Sequence, residues 1–152
     1  MLKHFALCEL MTLGLLALCP AQATSQETKT GKTVEVRVNY AGSGAVDENH
    51  PIYVVMWDTA AFVEKGSQVP PIATKPVTSK DGTAVFDNVA ANPAYISAAY
   101  DPAGKWKATS APPSGSSLGL YANSDGKPQP VKVNSDKPAS ITLKFDDAFK
   151  VP

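Results

Sequence analysis

Residues 33–40 read "TVEVRVNY", and their alternation decides the fold class. Val34, Val36, Val38 and Tyr40 fall on one side of an extended chain, and Glu35, Arg37 and Asn39 on the other. A two-residue period of this kind is a β-strand with one buried face. The next apolar run, "IYVVMW" (52–57), has no polar side at all. It is expected as a central strand covered on both faces, with Tyr53 and Trp57 packed into the core.

Working outward, "IATKPVTS" (72–79) reads as extended, and Pro76, which lacks an N–H, assigns it to a sheet edge. "KDG" follows as a tight turn in which Gly82 takes positive φ. "TAVF" is a short strand, "DNVAANP" a corner, and "AYISAAY" (94–100) a strand with Ile96, Ala98 and Tyr100 on one face. Near the C-terminal end, "QPVKVN" and "ASITLKF" are expected as a hairpin turned by "SDKP". Val131, Val133, Ile141, Leu143 and Phe145 then face inward. One helical turn is expected, capped by Asp58 or Thr59 and stopped by Gly66. About seven short strands with proline- and glycine-rich turns imply an all-β, antiparallel β-sandwich.

The N-terminus reads as a secretory signal. Lys3 and His4 precede an apolar run at 10–18, and Ala21-Gln22-Ala23 places cleavage after Ala23. The run is too short for a bilayer span, which needs about 20 residues. Cys19 follows Leu18 rather than a small residue, which disfavours lipid anchoring there. Residues 24–32, "TSQETKTGK", are polar and aperiodic and read as a disordered leader, leaving 33–152 as a single domain. Cys8 and Cys19 both fall inside the signal, so the mature chain has no disulfide and no cysteine metal site. Removing Lys3 and Glu9 leaves 13 basic and 13 acidic residues, dispersed along the chain. With no basic cluster, nucleic acid is not an expected partner.

The stretch "TSKDGTAVFDNVAANPAYISAAYD" (78–101) resembles the transthyretin-like, or carboxypeptidase-regulatory-like, sandwich domains. It follows their order of a D-G turn, a short strand ending in Phe86, an Asn88-Val89 corner, and a strand beginning at Tyr95. The likeness extends to small secreted bacterial proteins of this fold that have no assigned activity. Those proteins carry an Asp/Asn/Gly-rich turn after that strand; here Asp101 and Gly104 keep its frame, and "PPSGSSLGLY" resembles their later loop. The resemblance does not imply bound calcium here. "DPAGKWK" supplies one carboxylate and two lysines, whereas calcium takes six to eight oxygens. Nor does it imply the purine-pathway hydrolase activity of some relatives, because their Tyr-Arg-Gly-Ser tail and several histidines are missing.

No catalytic constellation is legible. Gly115-Ser116-Ser117-Leu118-Gly119 matches G-x-S-x-G, but Pro112-Pro113 precedes it and no helix-length pattern follows. His50, the one mature histidine, lacks the second ligand a transition-metal site needs. Asp146-Asp147 reads as a solvated strand end. What remains is the stretch from Tyr100 to Tyr121, long for a connection without regular structure. It reads as a flap over a sheet edge, with Asp101, Trp106 and Tyr121 as the candidate binding residues. No cofactor or metal is expected. The sequence therefore points to an exported, non-enzymatic binding or accessory module with an unknown protein or glycan as partner. The alternative is a carbohydrate-binding module in which Trp106 and Tyr121 stack on sugar rings.

Overall fold

The structure, a computed structural model, describes residues 32–152. The signal sequence and all but the last residue of the leader lie outside the described residues. Lys32 already belongs to the fold, since its carbonyl accepts the Val89 N–H at 2.9 Å.

Seven strands form two sheets. In chain order they are β1 (Val34–Tyr40), β2 (Ile52–Trp57), β3 (Ala73–Val77), β4 (Thr83–Phe86), β5 (Tyr95–Tyr100), β6 (Ser117–Leu120) and β7 (Ala139–Phe145). One sheet has the order β4-β1-β7 and the other β3-β2-β5-β6. Their facing sides enclose the core, which takes Val34, Val36, Val38 and Tyr40 from β1 and Ile52, Val54 and Met56 from β2. Ile96, Ala98 and Tyr100 enter it from β5, and Leu143 and Phe145 from β7. Each set is spaced two residues apart, as a pleated strand requires. At β6 the two sheets come close. A methyl group added to Gly119 would lie 2.7 Å from Phe145 Cγ and 2.9 Å from Leu143 Cδ2.

Three features of the strands and turns depart from the sequence expectations. First, β1 and β7 run parallel, paired from Val34–Ala139 to Tyr40–Phe145, so the sandwich is not antiparallel throughout. Second, residues 129–134 form no hairpin with β7. Pro130 has no N–H to donate, and Val131 instead exchanges two backbone hydrogen bonds with Ala94. Val131 and Val133 are nevertheless buried. The seventh strand is β6, inside the stretch read as a loop. Third, Gly82 does not adopt positive φ. Glycine is needed there because a Cβ would collide with the Val77 and Ser79 side chains. The short helix is a 3-10 turn at Ala60–Val63, and Thr59 is its cap, its hydroxyl accepting the Ala61 N–H at 3.3 Å.

Asp147, expected to be solvated, closes one end of the sandwich. One carboxylate oxygen accepts the Tyr40 hydroxyl and, at 2.7 Å, the Ser117 hydroxyl. The other accepts the Ser43 N–H at 2.9 Å and its hydroxyl at 3.0 Å. The Tyr40 hydroxyl, the Ser43 N–H and the Ser117 hydroxyl together hold the carboxyl well below the usual carboxylate range. Burial and the Asp147 bond push Tyr40 up to about 12. Both shifts favour the neutral phenol beside the ionised carboxylate. The folded pKa of Asp147 is depressed, so its stabilisation is present above the ordinary carboxylate range, near 3.9, and is lost as pH falls below it. Asp147→Asn is expected to cost about 2–3 kcal/mol at neutral pH, the scale of hydrogen bonds to a charged group. It is also expected to flatten the loss of stability between neutral pH and about pH 2. Urea denaturation of both proteins across that range checks this, and acid limbs of equal steepness would contradict it.

Candidate functional site

The outer face of the four-stranded sheet carries the most unusual surface. Because β2 is apolar on both sides, Tyr53, Val55 and Trp57 point away from the core, contrary to the expectation that Tyr53 and Trp57 pack inside it. Strand register aligns their neighbours. Thr74, Val55, Ser97 and Leu120 form one row across all four strands, and Tyr53, Ala99 and Leu118 form the next. At the usual strand spacing, a four-strand row is about 14 Å long.

Two connections rise from this floor. The β2–β3 connection brings Phe62 flat against Trp57, with ring centres 4.6 Å apart and planes 3° from parallel. The β5–β6 connection brings in Trp106. Its turn is organised by Asp101, a carboxylate only 6% exposed. One oxygen accepts the Ala103 N–H and the other the Lys105 and Trp106 N–H groups, each at 2.9 Å. Burial pushes the Asp101 pKa up, but the three backbone donors outweigh it and hold the group below the usual carboxylate range. Gly104 completes the turn at φ +66°, where a side chain would also strike the Asn49 carbonyl. Trp106 is then laid edge-on against Tyr53, with centroids 5.1 Å apart, and its indole N–H donates to the Ser110 carbonyl at 3.0 Å. It is 9% exposed. Val55, Ala99 and Trp106 are buried apolar residues that do not belong to the core between the sheets.

Between these walls lies an open groove of about 800 Å³. Its floor is the Thr74–Leu120 row with Ala99 and Leu118, and Phe149, 68% exposed, stands at its rim. None of the described residues lining it is charged. Its few polar groups are hydroxyls and one amide, that of Gln68. The Trp57 indole N–H is committed to Ser97 Oγ at 2.9 Å.

Of the three residues singled out by the sequence, Asp101 and Trp106 meet in one turn and Tyr121 lies apart. Asp101 is spent inside its own turn. Trp106 lies on the outer face, whereas Tyr121 packs against the core between the sheets. Trp106 and Tyr121 therefore do not stand side by side as one exposed pair. Ser117, in the G-x-S-x-G match, is 1% exposed and donates to Asp147. His50, the one imidazole of the described residues, is bonded to Asp47 at 3.0 Å. Among the described residues, no three His, Cys, Asp or Glu side chains cluster as a metal site would. No helix among them is long and apolar enough to cross a membrane. The chain matches no known protein family, no curated protein and no solved structure.

The groove's wall depends on the Asp101 turn. Asp101→Ala is expected to cost about 1–3 kcal/mol, since it orphans three backbone donors. It is also expected to shift tryptophan emission to the red as Trp106 becomes wetted. Unchanged stability together with unchanged emission would contradict the assignment.

Proposed function

We propose that this protein is an exported, non-enzymatic binding module of the cell envelope, built as a transthyretin-like sandwich, whose ligand surface is the groove on the outer face of the β3-β2-β5-β6 sheet. The observation that carries the reading is the groove itself: concave, mostly apolar, and lined without charge. Its size lies within the roughly 300–1,000 Å³ of small-molecule sites. Export rests on the order of a basic start, an apolar run and Ala21-Gln22-Ala23 in residues 1–23. The stretch from Tyr100 to Tyr121 contributes both a wall and a floor strand, so the segment that stood out in the sequence is also the segment that shapes the site. A binding role suits the chemistry of this surface. It offers shape and apolar contact, and no titratable group lines it to move a proton.

A thermal-shift screen of the exported protein against charged and uncharged small molecules tests this reading. The mature chain is expected to begin at Thr24. Its melting temperature is expected to rise with uncharged ligands, and Leu120→Lys, which puts a charge on the groove floor, is expected to abolish the rise. Retention of residues 1–23, or stabilisation by charged ligands that Leu120→Lys leaves intact, would overturn it.

A further inference from the structure

From the groove's chemistry we infer that its ligand is a small, uncharged amphiphile whose hydrocarbon chain lies along the groove, rather than a glycan or a charged molecule. This rests on the reading of the groove as a ligand site and narrows it. A glycan is held by aromatic faces together with free hydrogen-bonding groups. Here both indole N–H groups are already paired within the protein, Trp57 to Ser97 Oγ and Trp106 to the Ser110 carbonyl. One face of Trp57 is covered by Phe62, and Trp106, against Tyr53, is only 9% exposed. What the groove still offers is mainly aliphatic: Val55, Ala99, Leu118 and Leu120 on the floor and Val63 at the rim, with the single exposed ring of Phe149 beside it.

Charge points the same way. No Lys or Arg lines the groove to receive a carboxylate or phosphate, and no Asp or Glu to receive an amine. A charged head held there would lose water without gaining a partner, which is costly. A hydrocarbon chain gains with each methylene removed from water, about 0.8 kcal/mol apiece. The row from Thr74 to Leu120, about 14 Å long at ordinary strand spacing, is long enough for such a chain to lie extended. Hydroxyls of Ser67, Thr74, Thr109 and Ser110 border the groove and suit a polar, uncharged head.

The chain's two tryptophans both line the groove, so intrinsic fluorescence reports its occupation directly. The probe is N-phenyl-1-naphthylamine, an uncharged apolar dye that accepts tryptophan emission. Titration of the exported, full-length mature protein is expected to quench that emission saturably at one equivalent. Monolauroylglycerol below its micelle threshold is expected to displace the dye, and a neutral oligosaccharide is not. Affinity is expected to fall about ten-fold or more in Leu120→Lys, because a charge then stands in the chain's path. Thr109→Asp, on the exposed lip, provides a second variant should Leu120→Lys fail to fold, and it is expected to weaken binding in the same direction.

If the oligosaccharide saturates the quench, and the glycerolipid and dye do not, the ligand class is wrong while the groove remains a binding site. If dye binding is untouched by both variants, the dye binds elsewhere and the inference falls. If no probe gives a saturable change, the inference falls together with the groove reading.

Discussion

The contact on which the rest of this molecule depends is Trp106 seated edge-on against Tyr53, outside the core. It answers a problem posed by β2. A strand with apolar side chains on both faces can bury only one of them between two sheets, and the other needs a cover. The chain covers it with the connection after β5, and the means is local. The Asp101 carboxylate gathers three backbone N–H groups, Gly104 allows the left-handed bend, and the turn delivers the indole to the sheet. The connection before β3 rises on the other side, with Phe62 on Trp57. Two covers that do not meet leave a groove between them. Its neutrality follows from its origin, because its floor is the second apolar face of a central strand and its neighbours.

The sandwich beneath needs little explanation beyond alternation. Every core residue of β1, β2 and β5 sits at a two-residue spacing. Its ends are secured by polar contacts of long sequence range. Asp147 ties Tyr40, Ser43 and Ser117 together, joining β1, the loop after it and β6 at the point where β7 ends. Tyr40 also packs against Phe145 and Tyr100, with ring centres 4.8 and 5.0 Å away, so the clasp and the core are continuous.

Much of this was legible in the residues. The alternation of 33–40, the two-sided run at 52–57, the edge character of Pro76 and the inward set Ile96, Ala98 and Tyr100 all follow from strand geometry. Other features were hidden for physical reasons. The strand 117–120 is four residues long and contains a glycine, so it carries almost no period, and its pairing with β5 and a bridge to Lys150 define it. The parallel partnership of β1 with β7 joins segments about a hundred residues apart, and nothing local records it. Asp147 looked solvated because its partner Tyr40 lies 107 residues away. Asp101 and Trp106 stand out in the sequence as candidate binding residues, and in the structure Asp101 shapes the turn that places Trp106 in the groove wall. The groove itself is implicit in the two-sided apolarity of β2, whose outer face needs a cover of its own.

The most direct measurement of this account is proton exchange and through-space contact at the two tryptophan indoles, observed by nuclear magnetic resonance of the isotope-labelled mature protein. Both indole protons are expected to exchange slowly, held by Ser97 Oγ and the Ser110 carbonyl, and Trp106 is expected to show cross-relaxation to the Tyr53 ring. Indole protons exchanging at the rate of free tryptophan, with no Trp106–Tyr53 contact, would mean that the cover is not in place and that the groove it walls does not exist.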